Sequence, residues 1–500
     1  MAFAITQTCC SDATCVSVCP VNCIHPTPEE RAFGSTEMLY VDPKSCIDCG
    51  ACADACPVDA IFPVESLMGP MKEYAEINAA YFEQVDPTPV TEPAPLFHEW
   101  EAPTFDRVLP SDFKALRVAI VGTGPAAMYA AEDLLLNTPA EVTLVERLDV
   151  PGGLVKWGVA PDHPSTKKVG ESFARLLDHP RSRLHTGVEV GRNLSHEELA
   201  AHHDAVIYAV GASTDRRLGI EGEDLVGSVA ATRFVAWYNG HPDLAPDAFE
   251  LSAERVVVVG NGNVAVDVAR ILAADPATLE GTSIAPHALE ALRASKVREV
   301  VLLGRRGPDC AAYTTSELRA LKHLDGVDLV VDDHDPAVGG TIDAAFRGDK
   351  AAVLQGVRRE RIEYDAAPPP GRRIVLRFNS APEAIAGDQE VRAVQVSGGQ
   401  ELPAGLVIRA IGYRGRPVAD LPFDEATGTV PHDAGRVHGC DATYVVGWIK
   451  RGPSGGIGAN RGCAEETVGT LLADAVAGRL PAPSGSPRSF RRLARRASRT

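Results

Sequence analysis

The sequence predicts a small cysteine-rich α+β domain that is followed by two nested α/β domains. Two observations lead to this fold class. Nine of the twelve cysteines lie in the first 56 residues, which indicates a compact domain built around them. Further along, β-branched runs lead into a glycine-rich turn and a helical pattern at "VAIVGTGPAAMYAAEDLLL" and again at "VVVVGNGNVAVDVARIL". A strand, a glycine-rich turn and a helix in this order are typical of α/β domains.

The composition is that of a folded protein with an acidic surface. The 500 residues are 45% hydrophobic and 23% charged, with a formal net charge of −18. This charge argues against nucleic acid as a ligand, because phosphate binding depends on basic residues. The sequence has no apolar run of membrane-spanning length, and its first residues, "MAFAITQTCC", lack the features of a secretory signal. We therefore expect a cytoplasmic protein with no membrane span.

The stretch "CIDCGACADACP" has the cysteine spacing C-x2-C-x2-C-x3-C-P, formed by Cys46, Cys49, Cys52 and Cys56. Bacterial ferredoxins bind iron–sulfur clusters with this run, and its fourth cysteine binds the other of two clusters. A zinc site would instead need two separated cysteine pairs. Without a secretory signal, a disulfide scaffold is also disfavoured. The sequence therefore predicts an α+β ferredoxin domain.

A second run, "CCSDATCVSVCP", fits the same template, except that Asp12 occupies the second ligand position. Because the fourth cysteines cross over, we define a second ligand set that holds a [4Fe–4S] cluster, namely Cys19, Cys46, Cys49 and Cys52. The first ligand set is Cys9, Cys15 and Cys56, with Asp12 opposite the fourth corner of its cluster. That corner is either vacant, giving [3Fe–4S], which we favour, or capped by the carboxylate, giving [4Fe–4S]. Cys10 is an alternative to Cys9, and Cys23 resembles the buried, non-ligating cysteine of seven-iron ferredoxins.

The first glycine-rich fingerprint, Gly122-x-Gly124-x-x-Ala127, predicts a dinucleotide site. The glycines let the backbone approach a pyrophosphate, which lies at the N-terminus of the following helix. The next predicted strand, "EVTLVE", ends on Glu146, whose carboxylate can accept hydrogen bonds from ribose hydroxyls and repels a 2′-phosphate. This site is predicted to bind FAD or NAD.

The second fingerprint, Gly260-x-Gly262-x-x-Ala265, is followed by a strand that ends in Arg305-Arg306. Two guanidinium groups suit a 2′-phosphate, so this site is predicted to bind NADP; the alternative is two ordinary surface arginines. The opposite charge preferences indicate an α/β flavoprotein with two dinucleotide-binding, Rossmann-like domains. In it the NADP domain splits the FAD domain, which the chain leaves along residues 203–212 and re-enters along 406–415.

Six segments follow from this organisation. The linker is either a plain spacer or a tether, with a short helix near "MKEYAEINAAYFEQV". The tail "RSFRRLARRASRT" is predicted to be solvated and disordered, or alternatively to dock on an acidic partner or an acidic part of this chain. The predicted boundaries are 1–65 for the ferredoxin domain, 66–112 for the Pro-rich linker, 113–215 for the first FAD segment, 216–405 for the NADP domain, 406–485 for the second FAD segment and 486–500 for the basic tail.

Four motifs together resemble the adrenodoxin-reductase-like ferredoxin–NADP reductases over residues 115–480: "PGGLVKWGVAPDHPSTK", "GNGNVAVDVARIL", "GRRGP" and "GWIKRGPSGGIG". With its N-terminal domain, the whole chain resembles a fused ferredoxin/ferredoxin–NADP reductase. The resemblance implies a proton-relay role for His163 and Asp267. It also implies NADP contacts at Asn261, Gly262, Asn263, Val264, Arg305, Arg306, Glu317 and Gly455. The implied FAD contacts are Gly122, Gly124, Ala126, Glu146, Leu154, Val190, Trp448, Gly455, Gly456 and Ile457.

These features predict an oxidoreductase that moves electrons between NADPH, FAD and iron–sulfur clusters. NADPH gives up a hydride and each cluster accepts one electron, so a flavin must stand between them. An external ferredoxin or a cytochrome P450 is a candidate acceptor. Two alternatives stay open: the chain is the electron-input subunit of a larger reductive enzyme, or its ferredoxin domain serves only to dock other flavoproteins.

Overall fold

The computed structural model of the protein describes residues 2–84, 107–346 and 348–499. The chain forms two compact units. The first unit comprises Met1–Lys156, Ser165–Thr214 and Arg414–Thr500, and the second comprises Trp157–Pro164 and Asp215–Tyr413. The cysteine-rich region and the first fingerprint therefore share one unit, whereas the second fingerprint lies in the other. Across the described ranges, no helix has the length and apolarity needed to span a membrane.

The cysteine-rich region folds as a small α+β domain. Two antiparallel strand pairs form its sheets, Phe3–Ile5 with Ile61–Pro63 and Ile24–His25 with Tyr40–Val41. Short helices follow the first ligands of each cysteine run, and single 3₁₀ turns complete the domain. These elements are the helices Thr14–Ser17 and Ala51–Ala55 and the turns Arg31–Gly34, Val64–Ser66 and Gly69–Lys72.

The helix Glu73–Gln84, inside the predicted linker, belongs to the ferredoxin domain. Its Asn78 is buried, and the side-chain amide donates to the carbonyl oxygens of Ile5 at 2.8 Å and Tyr74 at 2.7 Å. The amide oxygen accepts from the backbone N–H groups of Ile5 at 3.1 Å and Val41 at 2.8 Å. Asn78 thus satisfies backbone groups of two strands that belong to different sheets. The predicted boundary at residue 65 is therefore too early, and residues 85–106 of the predicted linker lie outside the described residues.

The rest of the first unit is an α/β layer structure. Within its described residues, one sheet has seven strands, ordered His432–Asp433, Arg436–Val437, Thr443–Val445, Ala205–Tyr208, Arg117–Val121, Glu141–Val145 and Ser182–His185. The last five are parallel, and their apolar side chains are buried on both faces, as helices on both sides require. The helices are Pro125–Asn137, Gly153–Trp157, Pro164–Lys167, Val169–Leu177, His196–Ala200, Trp448–Arg451, Ala459–Val476 and Pro487–Ala497.

The predicted disordered tail is instead the helix Pro487–Ala497, which contradicts that interpretation. Ser486 caps the helix, because its hydroxyl accepts from the N–H of Ser489 at 3.1 Å. Phe490, Ala494 and Ala497 follow helical spacing and are buried in the core, whereas the arginines lie on the exposed face. The arginine count concealed this amphipathic pattern.

Replacing Phe490 with alanine should destabilise the first unit by about 3–5 kcal/mol. The ring is 3% exposed and packs edge-on against His203, with ring centroids 4.7 Å apart. The measurement is chemical unfolding of the purified protein. The matched control is Arg492→Ala, an exposed position of the same helix, which should change stability by less than about 0.5 kcal/mol. Equal stabilities of the two variants would contradict the packing described here.

The second unit is built on a parallel sheet. In the part of this unit that the structure describes, its seven strands are ordered Ser228–Ala230, Leu406–Arg409, Arg255–Val259, Glu299–Leu303, Arg372–Arg377, Val327–Asp332 and Arg358–Glu360. Another sheet is antiparallel and contains Pro382–Ala386, Ala393–Val396 and Gln400–Pro403. The helices are Ala231–Tyr238, Asn263–Ala273, Pro286–Arg293, Thr315–Lys322 and Pro336–Ala344, and the 3₁₀ turns are Pro276–Leu279, Pro308–Cys310 and Lys350–Leu354. Two short strands, Thr214–Asp215 and Tyr413–Arg414, contain the unit boundaries.

One predicted strand belongs to the other unit. From the sequence, residues 406–415 were expected to return the chain into the FAD domain. The strand Leu406–Arg409 instead pairs in parallel with Ser228–Ala230 and Arg255–Val259, inside the second unit. Buried parallel strands are apolar in both domains, so composition cannot show which sheet a strand joins. The first unit resumes at Arg414.

Candidate functional site

The cysteines of the ferredoxin domain form two electrostatic groups. Burial raises the pKa of Cys15, and the charges of Cys9, Asp12 and Cys56 raise it further. Burial likewise raises the pKa of Cys52 to about 11, with contributions from Cys46, Cys19 and Cys49. The charge of Cys52 also reaches Cys15, so the two neighbourhoods adjoin, and the division into two ligand sets stays a prediction. Crowded thiols suit a bound cation, because the cation replaces the protons as the counter-charge.

Asp12 and Cys23 have defined surroundings in this domain. Asp12 is 9% exposed, and its carboxylate accepts the hydroxyl of Thr14 at 2.5 Å. Cys23 is buried, with its sulfur 3.5 Å from that of Cys19. Cys10 lies within electrostatic reach of both Cys9 and Cys56, so the alternative of Cys10 as a ligand stays a prediction.

The first fingerprint forms a tight turn at the start of the helix Pro125–Asn137. Gly122 has φ +107, and a Cβ atom there would lie 2.6 Å from the carbonyl oxygen of Ala209. Gly124 is extended, and no side chain in the described part of the chain caps this helix. The N–H groups of its first turn therefore remain available, which fits a bound pyrophosphate.

Glu146 follows the strand Glu141–Val145 and is buried. Its carboxylate accepts the hydroxyl of Thr123 at 2.5 Å and the N–H of Leu148 at 3.0 Å, while the Thr123 oxygen accepts the N–H of Gly152 at 3.0 Å. These bonds hold the carboxylate between the fingerprint turn and the loop that follows its own strand. A carboxylate accepts about four hydrogen bonds, so capacity remains for ribose hydroxyls.

A second segment of the first unit approaches the same helix. A Cβ atom on Gly447 would lie 2.5 Å from that of Ala126, so the two backbones are in close contact. Trp448 donates its indole N–H to the carbonyl oxygens of Ser454 at 3.1 Å and Gly455 at 3.3 Å. Trp448 thereby shapes the Gly-rich turn, which we define as residues 455–458.

Asn460 holds the Gly-rich turn from the other side, because its amide donates to the carbonyl oxygens of Gly456 and Ile457 at 3.0 Å each. Leu154 is 36% exposed in the helix Gly153–Trp157, and Val190 is half-buried beside Leu194. The exposed side chain of Leu154 is available to a ligand.

The second fingerprint repeats the arrangement in the second unit. Gly260 has φ +125, and a Cβ atom there would lie 2.4 Å from the carbonyl oxygen of Ala410. Gly262 precedes the helix Asn263–Ala273, which also has no side-chain cap among the described residues. Its first residues include Asn263, which accepts the N–H of Thr314 at 2.8 Å, and Val264, which is half-buried. The asparagine amides thus position the loop after Pro308–Cys310, to which Asn261 also bonds through Ala312.

Arg305 and Arg306 follow the strand Glu299–Leu303, the neighbour of the fingerprint strand. Both side chains are exposed. Among the described residues neither guanidinium forms an ion pair, so their charge is available to an anionic ligand. This is the surrounding that a 2′-phosphate site requires.

His163, Asp267 and Glu317 come together in the second unit. Their nitrogen and oxygen atoms lie within 4.8 Å of one another. Burial raises the pKa of Glu317, and the charge of Asp267 raises it further while His163 opposes the shift. One carboxylate oxygen of Glu317 is buried without a hydrogen-bond partner in the described residues. The group can therefore hold and share a proton.

Three further residues contribute to the candidate sites and were not predicted from the sequence: Arg270, Asp162 and Thr123. Arg270 forms ion pairs with Asp267 and with Asp162, the second at 2.7 Å, and holds both carboxylates from the interior. Arg270 follows Asp267 by three residues on a predicted helix, and this i,i+3 spacing could have predicted their ion pair. The hydrogen bond from Thr123 to Glu146 could not be predicted from a local sequence pattern, because the two residues follow different strands.

We expect Glu317→Gln to stabilise the protein increasingly as the pH rises. Since the pKa of Glu317 is raised in the folded state, the folded protein retains a proton that the unfolded chain releases, and wild-type stability falls above the usual glutamate pKa of 4.5. Glutamine stays neutral and avoids this loss. Thermal melts at about pH 4 and about pH 8 measure the effect. Glu290→Gln, at an exposed position of the same unit, is the control, and equal pH dependence of all three proteins would contradict the prediction.

Two family descriptions match the chain. "Pyridine nucleotide-disulphide oxidoreductase" covers residues 116–279 and "4Fe-4S binding domain" covers residues 39–62. A Mycobacterium tuberculosis protein named "Probable ferredoxin/ferredoxin--NADP reductase" is 47% identical over 519 residues, which covers 99% of this chain and 87% of that protein. The human mitochondrial "NADPH:adrenodoxin oxidoreductase" is 38% identical over 410 residues, covering 76% of this chain and 83% of its own.

Solved structures agree with these relatives. "Mycobacterium tuberculosis FprA in complex with NADPH" is 42% identical, with a TM-score of 0.68, and covers 77% of this chain and 90% of its own. The atomic-resolution structure of the same oxidoreductase with a covalently modified NADP⁺ is 43% identical, with a TM-score of 0.70 and the same coverage. The resemblance drawn from the four sequence motifs is confirmed. The chain belongs to the family of ferredoxin/ferredoxin–NADP reductases.

Proposed function

We propose that this chain transfers electrons between NADPH and the iron–sulfur clusters of its own ferredoxin domain, as an FAD-containing ferredoxin–NADP reductase. The observation that carries the proposal is the pairing of two uncapped fingerprint helices with two crowded thiol sets in one chain. The relatives named for ferredoxin–NADP reduction support it over nearly the whole length. An external ferredoxin or a cytochrome P450 is a candidate final acceptor.

Charged residues beside the two fingerprints determine which cofactor each fingerprint binds. Glu146 selects ribose hydroxyls at the first, where the proposed FAD contacts lie, and Arg305 and Arg306 select the 2′-phosphate of NADPH at the second. When bound, FAD supplies the conversion between hydride transfer and single-electron transfer.

Side chains of the second unit are suited to proton transfer. We propose that His163 and Asp267 relay the proton that accompanies hydride transfer. Glu317, whose pKa is raised by burial, shares that proton, and Arg270 keeps Asp267 in place. A His163→Ala variant should slow flavin reduction by NADPH and change the pH dependence of that rate. Unchanged rates for flavin reduction and for electron transfer to the clusters would exclude the relay.

The two clusters are proposed to differ. The second ligand set holds a [4Fe–4S] cluster. For the first ligand set we favour [3Fe–4S], because the Asp12 carboxylate is already held by Thr14 and is restrained from capping a fourth iron.

A steady-state assay tests the proposed function. The purified holoprotein should reduce an added ferredoxin with NADPH under argon, and far more slowly with NADH. A protein that contains FAD and iron but oxidises neither nucleotide would overturn the proposal. Co-purification of a stoichiometric partner required for turnover would instead favour the electron-input subunit.

A further inference from the structure

The ferredoxin domain contacts the FAD-binding turn through one particular loop. The N–H of Gly458, the last residue of the Gly-rich turn, donates to the carbonyl oxygen of Cys10 at 3.2 Å. A Cβ atom on residue 458 would lie 2.3 Å from that oxygen and 2.6 Å from the backbone nitrogen of Asp12. Only glycine allows the two backbones to approach this closely. The loop 10–12 therefore fits directly on the turn.

A group of charged and aromatic side chains of the FAD domain lies within electrostatic reach of Asp12 in the same loop. Burial raises the pKa of Glu132, Arg461 opposes the shift, and the charge of Asp12 raises it further. The Arg461 guanidinium lies 3.5 Å from the Glu132 carboxylate and 4.8 Å from the centre of the Tyr129 ring. Tyr129 and Glu132 belong to the first-fingerprint helix Pro125–Asn137. The electrostatic surroundings of Asp12 thus come partly from the helix that begins at the proposed FAD site.

A second contact lies beside another ligand of the same set. Lys168, in the FAD domain, forms an ion pair with Asp59, three residues after Cys56. Buried apolar side chains form one continuous core through the ferredoxin domain and the FAD domain. Both polar contacts therefore flank the first ligand set, Cys9, Cys15 and Cys56.

The second ligand set includes the most solvent-accessible part of the cysteine runs. Cys49 is exposed, and the neighbouring Ile47 is 58% exposed. This edge of the second ligand set is therefore the part of the cysteine runs that an external protein can reach.

We propose that the loop 10–12 and Asp59 form a fixed internal interface that presents the first ligand set to the FAD-binding turn and leaves the second set for the external acceptor. This inference rests on the proposed function. It adds the order in which electrons pass through the two ligand sets. Oxidation of one NADPH to NADP⁺ releases two electrons and one proton. Two successive single-electron transfers, through the first set and then the second, carry both electrons to the acceptor.

The interface is tested by carbodiimide coupling of the full-length holoprotein. The reagent removes water and joins the Lys168 amine to the Asp59 carboxylate as an amide, which peptide mapping identifies. The expected result is this cross-link in the unaltered protein and its loss in Asp59→Asn. Coupling of Lys450 to Glu466, an ion pair within the FAD domain, controls for the chemistry. Formation of the control cross-link without the Lys168–Asp59 cross-link would overturn the interface.

EPR spectra of two variants, recorded after NADPH addition, test the order of electron transfer through the two ligand sets. Reduction by dithionite is the control that shows intact clusters. Cys49→Ser perturbs the second set, and NADPH should still change the signal of the first. Cys15→Ser perturbs the first set, and NADPH should reduce the remaining cluster at least tenfold more slowly, although dithionite reduces it normally. The reverse pattern would overturn the order. Failure of the proposed function has another signature: NADPH would leave both clusters of the unaltered protein oxidised, while the cross-link would still decide the interface.

Discussion

Replacing Arg305 and Arg306 together with alanine should abolish the preference for NADPH over NADH. Both guanidiniums are exposed next to the second fingerprint strand and have no ion-pair partner in the described residues, so the 2′-phosphate is their expected ligand. We expect kcat/KM for NADPH to fall by about 100-fold or more. Each charge-assisted hydrogen bond contributes about 1.5–3 kcal/mol, and about 1.4 kcal/mol corresponds to tenfold. NADH lacks the phosphate, so its kcat/KM should stay nearly constant.

The control for this experiment is Arg361→Ala, which removes one exposed arginine of the same unit. It separates the loss of two specific contacts from a general change in surface charge. Steady-state kinetics with both nucleotides provide the measurement. An equal fall for NADPH and NADH would show that the arginines stabilise the fold or a shared part of the nucleotide, and would contradict the assignment of the 2′-phosphate site.

Gly122→Ala should yield protein without bound FAD. The added Cβ would lie 2.6 Å from the carbonyl oxygen of Ala209, which follows the adjacent parallel strand, so the collision is with backbone and no side-chain rotation relieves it. The positive φ of +107 adds conformational strain for any other residue. Overpacking costs about 1–3 kcal/mol and left-handed backbone about 1–2 kcal/mol, so we expect a total destabilisation of about 2–5 kcal/mol.

Flavin absorbance per mole of protein and thermal melting measure this effect. Gly439→Ala is the matched control, because Gly439 also has positive φ, at +73, but no atom lies within 4 Å of the position that an added Cβ would occupy. The control should retain FAD and lose only a fraction of the stability. A Gly122→Ala protein with stoichiometric FAD and wild-type melting would contradict the described turn.

Local spacing in the sequence carries most of the site predictions. The two cysteine runs predicted two ligand sets, and that division stays a prediction, because the charge of Cys52 also raises the pKa of Cys15. The strand, turn and helix at each fingerprint were also predictable, because their glycines and apolar runs act within a few residues of one another. The acidic residue after one strand and the arginine pair after the other indicated the opposite ligand preferences.

Long-range contacts were not predictable in the same way. Asn78 in the predicted linker bonds to two strands at sequence separations of 73 and 37 residues, which no local pattern reports. The strand Leu406–Arg409 resembled its counterparts in the other sheet, since both are buried and parallel. Gly458 ends the motif "GWIKRGPSGGIG", but its contact with Cys10 depends on how the ferredoxin domain packs, which the motif does not report. The C-terminal helix had a local signal at Phe490, Ala494 and Ala497 that the arginines concealed.

Anaerobic EPR spectroscopy of the intact holoprotein, before and after addition of NADPH, tests the central claim most directly. We predict a [3Fe–4S] signal in the isolated protein from the first ligand set. We also predict that NADPH changes the cluster signals, because the chain connects its own nucleotide site to its own clusters. Bleaching of the flavin by NADPH with unchanged cluster spectra, in protein whose clusters dithionite reduces, would contradict this claim.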